Sequence, residues 1–399
     1  QKYGSKLDDQ LNEGDLSAAF AIYDLMMKRR YERYAYALSL LDKEPDLKGN
    51  DQIEIDREKA AFPATEEEAN KLWEERVKND VISLKLKDKK WPEIKEKLTK
   101  RYNLAIRRLT QTKADDIVQI YINAFAREID PHTSYLAPRN AKSFNESMNL
   151  SLEGIGATLQ SEDDETSIKS LVPGAPAERS KKLQAGDKII GVGQEKGEIE
   201  DIIDKIKGKK GTKVRLEIEP AKGGKSRIVT LVRDKVRIED QAAKLTVSKV
   251  DGETVGVIKI PSFYIGLTDD VKKLLVDAEK KKIGALIVDL RENGGGALTE
   301  AVALSGLFIT DGPVVQVRDA YQRIRVHEDD DNAQQYKGPL LVMINRFSAS
   351  ASEIFAAAMQ DYNRGIIIGQ NTFGKGTVQQ SRSLNFVYDL DPVSYTHLT

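Results

Sequence analysis

Glycine is distributed unevenly along this sequence, and its distribution limits the fold more than any other feature does. Residues 50 to 153 contain no glycine, whereas 25 of the 28 glycines follow residue 153. Glycine weakens helix interiors and supplies the turns between short strands. We therefore expect a helical first part, up to about residue 146, and a turn-rich part with strands after it.

The first part has the pattern of amphipathic helices. Residues 16–41 and 66–108 place apolar residues at helical spacing among many Lys, Arg and Glu, as helices do that bury one face. A basic run at residues 101–113 is interpreted as a solvated helix face, because acidic segments flank it.

Composition excludes several classes of protein. Lys and Arg number 62 against 63 Asp and Glu, and cysteine is absent, which argues against a nucleic-acid footprint over the whole chain, disulfides and thiol catalysis. No apolar run reaches the roughly 18 residues of a membrane-spanning helix. The sequence opens on Gln1 rather than Met. We expect a processed or partial chain, and the missing signal peptide therefore carries little weight.

After residue 150 the pattern changes to short strands with glycine turns, and after residue 236 to strands alternating with helices. The first group comprises strands at 166–171, 187–192, 213–219 and 226–233 and a helix at 199–206. The second comprises strands at 255–260, 285–290, 340–344 and 365–369 and helices at 269–282, 297–308 and 354–359. The last two strands enclose one helix, which predicts a right-handed βαβ unit.

This βαβ unit contains a serine cluster between its first strand and its helix, and a lysine follows its second strand. Ser348, Ser350 and Ser352 lie at the N-terminal end of the helix, where N-cap residues and free N–H groups are found. Lys375 follows the second strand between two glycines. A serine needs a base to attack a carbonyl, and a lysine can be that base near pH 7 when burial lowers its pKa by about 3 units. The pattern alone allows two interpretations, which are a catalytic Ser-Lys pair and a capped helix followed by a surface turn.

Two blocks of sequence resemble a known family. Ser-Ala-Ser-Ala-Ser-Glu at 348–353 and Thr-Phe-Gly-Lys-Gly-Thr-Val-Gln-Gln at 372–380 resemble the active site of the carboxy-terminal processing peptidases. The order, the spacing and the residue types all agree. The resemblance runs from about residue 11 to Tyr388 and is closest to the tail-specific members of the bacterial periplasm.

The resemblance implies roles for individual residues. Ser350 would be the nucleophile and Lys375 the general base, with Gln379 orienting the lysine. Asp361, eleven residues after the serine, would also belong to the site.

A glycine turn follows the strand at 285–290, where an Asn-x-Gly-Gly pattern occupies residues 293–296. No nucleotide-binding glycine motif follows a strand anywhere in the sequence. The resemblance implies an oxyanion hole instead, for which we expect the N–H groups of Gly295 and Ala351, with Gly294 and Gly296 as near neighbours.

The strand-rich module resembles a PDZ domain. Its carboxylate-binding loop would be Gly154, Ile155, Gly156 and Ala157, where glycines allow consecutive N–H groups to bind a terminal carboxylate. One departure from the tail-specific members is a shorter segment between Gly193 and the helix at 199–206.

These expectations define a multidomain α+β protein. It would comprise an N-terminal helical domain at 1–146, a PDZ domain at 150–235, and a crotonase-like α/β spiral protease core at 236–390. We expect the core to be incomplete, because residues 391–399 do not resemble the family and are set apart as a tail.

The resemblance implies a serine endopeptidase that recognises apolar C-terminal tails of protein substrates through the PDZ domain. It needs no metal and no other cofactor, and we expect no nucleic-acid partner. The family also implies export to the periplasm and an adaptor protein of the cell envelope. A PDZ scaffold without catalysis and a crotonase-like acyl-CoA enzyme are the alternatives.

Overall fold

The structure is a computed structural model, and it describes residues 6–162, 165–193, 199–329, 333–384 and 393–398. The chain divides into two compact units. The first comprises Gln1–Ala137 with Arg382–Tyr395, and the second comprises Pro138–Ser381 with Thr396–Thr399. No helix in the described ranges is long and apolar enough to span a membrane.

The first unit is helical, as the glycine distribution predicts. Its elements before residue 138 are α1 (Leu7–Asn12), α2 (Ser17–Leu40), α3 (Glu66–Lys85), α4 (Trp91–Leu109), α5 (Ala114–Ile129) and the short strand β1 (Ser134–Leu136). Thr65 caps α3 by accepting a hydrogen bond from the N–H of Glu68. Its hydrophobic core is built around Ala37, Val81 and Leu98, which are fully buried.

The second unit begins with a strand-rich module. Its elements are α6 (Pro138–Met148), β2 (Ser151–Gly154), β3 (Ala157–Glu162), β4 (Glu165–Leu171), α7 (Pro176–Ser180), β5 (Lys188–Val192), α8 (Ile199–Ile206), β6 (Lys213–Glu219), β7 (Arg227–Val232) and β8 (Asp234–Arg237). Five strands form an antiparallel sheet in the order β3-β4-β5-β6-β7. The predicted strands and helix are confirmed. The segment noted as shorter than in the family, residues 194–198, lies outside the described residues.

The α/β core follows in the same unit. A 3₁₀ turn (Glu239–Gln241) precedes β9 (Lys244–Val250), β10 (Glu253–Lys259), α9 (Leu267–Lys280), β11 (Ala285–Asp289), α10 (Leu298–Gly306), β12 (Gly312–Arg318), β13 (Ile324–Asp329), β14 (Leu340–Ile344), α11 (Ala351–Asp361), β15 (Ile366–Gly369) and β16 (Val378–Ser383). The main sheet has the order β15-β14-β11-β10-β9. Its pairs are parallel except β9 with β10.

This sheet places the candidate site. One face packs against α9, α10 and α11 in a core that includes Val288, Val342 and Phe355. Because β11, β14 and β15 run parallel, their carboxyl ends meet at one edge of the sheet. The glycine turn (residues 290–297) follows β11, the serine turn (residues 345–350) follows β14, and the lysine loop (residues 370–377) follows β15. The fold therefore brings the three segments to that edge.

The last described element is β17 (Val393–Leu398). It pairs antiparallel with β1, and the register places Tyr395 opposite Ser134 and Val393 opposite Leu136. This strand lies within residues 391–399, which the sequence predicts to be a tail unlike the family and for which it predicts no strand.

Candidate active site

The three serines at the start of α11 have different environments. Ser348 and Ser352 are completely buried. Their hydroxyl groups donate to the carbonyl oxygens of Leu290, at 2.8 Å, and Asn293, at 2.9 Å. Ser350 is half-buried and stands at the N-cap of α11. Of the three, Ser350 therefore has the hydroxyl that is not tied to a main-chain carbonyl.

The backbone of Ser350 is strained. Its φ is 55° and its ψ is −115°, a conformation that costs a non-glycine residue on the order of 1–3 kcal/mol. The next residue, Ala351, begins α11, and its N–H has no acceptor among the residues that the structure describes. Ser350 thus stands beside a free N–H group at the positive end of a helix dipole.

The carboxylate of Glu353 joins the serine turn to the lysine loop. Its Oε2 accepts hydrogen bonds from the N–H of Ser350 at 2.7 Å and from the N–H of Lys375 at 2.9 Å. Its Oε1 accepts the N–H of Gly374 at 2.7 Å. Because both N–H groups bind the same oxygen atom, the backbone nitrogens of Ser350 and Lys375 are held close together.

Glu353 is held in its charged form. Burial alone would raise the pKa of this carboxyl. Hydrogen bonds from the side chain of Thr372 and from the N–H groups of Gly374, Ser350 and Lys375 outweigh burial and place the pKa below its usual value. The charged carboxylate is therefore the form that holds the two loops together.

Lys375 is half-buried. Within the described part of the chain no carboxylate lies within ion-pair distance of its Nζ, although its own backbone N–H is bound to Glu353. The side chains of Ser350 and Lys375 form no hydrogen bond with each other here. In enzymes without substrate such catalytic contacts are often long.

Two other candidates lie apart from the pair. Gln379 donates to the hydroxyl of Thr377 at 3.0 Å, and no hydrogen bond from it to Lys375 is formed. Asp361 is the last residue of α11 and is exposed. Since Ser350 precedes the first residue of that helix, about 16 Å of helix separates Asp361 from it. The fold does not bring Asp361 to the serine.

The glycine turn packs directly on Ser350. A Cβ placed on Gly295, where φ is 102°, would lie 2.8 Å from the Cβ of Ser350. The N–H of Gly295 itself donates to Oδ1 of the fully buried Asn293 at 2.9 Å. In this structure the expected oxyanion donor is therefore engaged, whereas the N–H groups of Gly294 and Gly296 have no acceptor in the described ranges.

Neither Asn293 nor Glu353 is among the site residues predicted from the sequence. Besides Gly295, Asn293 holds the serine turn, because its carbonyl accepts the N–H of Ala349 at 3.0 Å. A signal for Glu353 was present: a glutamate three residues after an N-cap serine fits a capping box. No local pattern indicates its bond to Lys375.

A groove lies beside the predicted carboxylate-binding loop. It has a volume of about 320 Å³ and is lined by Ile155, Leu159, Ile203 and Ile206, among others. The N–H groups of Ile155 and Gly156 have no acceptor in the described residues. Because β3 is the edge strand of its sheet, its free side can accept a further strand from a peptide.

Two cations line this groove, and both have carboxylate partners. Nζ of Lys207 lies 2.6 Å from Oε2 of Glu146, and the guanidinium of Arg237 binds Asp270. The loop N–H groups are thus the donors left for a terminal carboxylate.

A strained serine, a lysine loop and a glycine turn at one sheet edge, with a peptide groove in the same unit, are the features of PDZ-bearing serine peptidases. Family models agree with this class. Residues 1–139 match the tail specific protease N-terminal domain, residues 144–219 match the PDZ domain, and residues 254–396 match peptidase family S41. Residues 254–396 thus form a peptidase family S41 domain.

Individual proteins are also similar to this chain. A tail-specific protease of Haemophilus influenzae is 84% identical over 399 residues, which cover 98% of this chain and 57% of that protein. A probable CtpA-like serine protease of Staphylococcus saprophyticus is 33% identical over 277 residues, covering 68% and 55%. The chain thus spans little more than half the length of either relative.

Among solved structures, the PDZ domain of a carboxy-terminal protease from Vibrio cholerae in complex with a peptide is 54% identical. It covers 22% of this chain and 99% of that one, with a TM-score of 0.20.

Proposed function

We propose that this protein is a serine endopeptidase that processes protein C-termini with Ser350 as nucleophile and Lys375 as general base. The observation that carries the proposal is the shared carboxylate oxygen of Glu353, which binds the N–H groups of both residues. It fixes the two loops relative to each other before substrate arrives, and such preorganisation is what a catalytic pair needs.

The reaction follows from the chemistry of the pair. Neutral Lys375 takes the proton from Oγ of Ser350, and Oγ attacks the carbonyl carbon of the scissile peptide bond. Lys375 then gives the proton to the leaving amine, which leaves an acyl group on Ser350. The lysine next activates a water molecule, which hydrolyses the acyl-enzyme. The burial of Ser348 and Ser352 supports Ser350 as the serine that reacts.

The oxyanion of the tetrahedral intermediate would be bound by the free N–H of Ala351 together with the glycine turn. Gly295 contributes by its lack of a side chain, because a Cβ there would collide with Ser350. Its N–H becomes a donor to substrate once it is released from Asn293. The neighbouring free N–H groups of the turn support the same site.

The substrates would be proteins with free apolar C-termini. The apolar groove, the edge strand β3 and the unpaired N–H groups of Ile155 and Gly156 support capture of such a tail. The periplasm as its location, and an envelope adaptor as a partner, follow from the family resemblance.

The catalytic pair is tested by single substitutions. Ser350→Ala and Lys375→Ala should each abolish cleavage of an unfolded protein, with an unchanged circular dichroism spectrum. Ser352→Ala is the matched control, since its hydroxyl is buried on a carbonyl, and it should lose some stability but retain cleavage. Wild-type proteolysis by the Ser350→Ala variant would refute the assignment. Peptide binding without proteolysis in the unsubstituted protein would favour a PDZ scaffold.

A further inference from the structure

Two phenylalanine rings near the candidate site are exposed to solvent. Phe347 is 48% exposed and Phe373 is 68% exposed. Neither ring belongs to the packed hydrophobic cores of the described residues. Single exposed apolar residues are common on protein surfaces, so what distinguishes these two is their position in neighbouring segments.

Both rings are carried by the chain segments that hold the catalytic pair. Phe347 directly precedes Ser348 in the serine turn, and Phe373 lies two residues before Lys375 in the lysine loop. The N–H of Phe373 donates to the carbonyl of Ser348 at 3.0 Å. The backbones of the two phenylalanines therefore lie near the junction at which Glu353 joins the serine turn to the lysine loop.

Hydrogen bonds hold the backbone beneath Phe347. Its N–H donates to Oδ1 of Asn345 at 3.1 Å, and Nδ2 of Asn345 donates to Glu292 at 2.7 Å. The guanidinium carbon of Arg346 lies 4.9 Å from the centre of the Phe347 ring. The backbone at Phe347 is therefore held in place, and the positive charge of Arg346 beside its ring disfavours a cationic ligand.

We propose that Phe347 and Phe373 bind the apolar side chain of a substrate residue next to the scissile bond, and so contribute to the choice of cleavage site. This proposal rests on the proposed peptidase function. It is separate from tail capture in the PDZ groove, because the two phenylalanines belong to the segments that carry Ser350 and Lys375. A substrate strand that delivers its carbonyl to Ser350 must place neighbouring side chains close to these loops.

The first test measures turnover. Peptides share one apolar C-terminal tail and differ only at the residues beside the cleaved bond, which are leucine, lysine or aspartate. The unsubstituted protein should favour leucine. Phe373→Ala should lower kcat/KM for the leucine peptide about tenfold or more, as expected for loss of a buried apolar contact, and should change the charged peptides little. Phe62→Ala is the matched control, since Phe62 is a 96% exposed phenylalanine in the first unit, and it should leave all three rates unchanged.

The second test measures binding without chemistry. In a Ser350→Ala background, Phe373→Trp places a fluorophore in the lysine loop. Titration with the leucine peptide should shift its emission to shorter wavelength, and the lysine peptide should do so only at concentrations at least tenfold higher.

The outcomes separate this proposal from the peptidase assignment. If peptides are cleaved but Phe373→Ala slows all three by the same factor, the rings have a structural role and the subsite is refuted, while the peptidase stands. If nothing is cleaved but the tryptophan responds selectively to leucine, the subsite stands and the catalytic assignment fails. If the tryptophan does not distinguish leucine from lysine, the subsite is refuted.

Discussion

Glu353 performs two tasks at one position. As the third residue of α11 it binds the N–H of the N-cap Ser350, and it also binds two N–H groups of the lysine loop. A charged carboxylate accepts all of these bonds, and bonds to a charged group are stronger than neutral ones. The residue therefore positions the proposed catalytic pair through the backbone N–H groups of Ser350 and Lys375.

Glu353→Gln tests this positioning role. An amide keeps one acceptor oxygen but turns an NH₂ donor toward N–H groups that need an acceptor. We expect kcat to fall about tenfold or more, and KM to change less than about twofold, since the peptide groove is untouched. Steady-state kinetics on one unfolded substrate would measure both values.

A matched variant separates positioning from stability. Glu300, on α10, also accepts several hydrogen bonds, from Gly266 and Thr268 at the start of α9, and in the described ranges it forms none with the lysine loop. Glu300→Gln should lower the melting temperature and leave kcat close to the unsubstituted value. An equal fall of kcat in both variants would contradict the role of Glu353.

The sign of the pH effect follows from the lowered pKa of Glu353. A carboxyl with a lowered folded pKa stabilises the fold above its unfolded pKa and loses that effect as pH falls through its folded pKa. The difference in unfolding free energy between the unsubstituted protein and Glu353→Gln should be constant above about pH 5 and shrink in stronger acid.

Gly295 lies so close to Ser350 that an added methyl group should lower kcat. Gly295→Ala places a Cβ at 2.8 Å from both the carbonyl oxygen of Ala349 and the Cβ of Ser350. Since this displaces the nucleophile from the oxyanion site, kcat should fall about 100-fold or more, on the scale of losing one oxyanion donor. Gly294→Ala meets nothing within 4 Å and should retain its fold and most of its activity. A loss confined to KM in Gly295→Ala would indicate a structural turn instead.

At the scale of elements, the βαβ unit was predictable because its signals are local. The strand expected at 340–344 is β14, and the strand expected at 365–369 is β15 without its first residue. The helix expected at 354–359 begins three residues earlier, at Ala351. An apolar run and a serine cap are enough to predict this order, since each acts within a few residues.

The contacts between these elements were not predictable in the same way. Ser350 has a positive φ, and it lies against the glycine turn and is linked through Glu353 to the lysine loop, both of which are remote in sequence. Asp361 shows that a spacing in the sequence does not by itself give the distance in the fold. A sequence spacing of eleven residues links it to Ser350, but a helix between them converts that spacing into distance.

At the scale of the whole molecule, glycine usage predicted the change from helices to strands, but the division of the chain falls elsewhere. The sequence predicts that the helical domain ends at residue 146, whereas the N-terminal segment of the first unit ends at Ala137, and α6 belongs to the second unit. One tie is the ion pair between Glu146 and Lys207, which links α6 to the residue after α8. Glycine content reports local conformation and carries no information about such a long-range pair.

Tail recognition requires the groove and the catalytic pair to act in one chain, and three forms of one poorly folded substrate test it. One tail ends in small apolar residues, the second is the same tail amidated, and the third ends in aspartates. The first should be cleaved fastest, because amidation removes the charge that the N–H groups of Ile155 and Gly156 bind. Aspartates would lose their hydration in an apolar groove, which is unfavourable.

Ile203→Asp should remove this preference, since Ile203 lines the groove and a carboxylate there repels a terminal carboxylate. We expect kcat/KM for the apolar tail to fall about tenfold or more, the amount associated with one buried aliphatic side chain. Cleavage of the amidated form should change less. Ile228→Asp is the control, because Ile228 is 61% exposed on β7 of the same sheet and does not line the groove. Equal rates for all three tails in the unsubstituted protein would contradict tail recognition but leave the Ser350–Lys375 assignment intact, because the proposal gives substrate selection to the groove and cleavage to the pair.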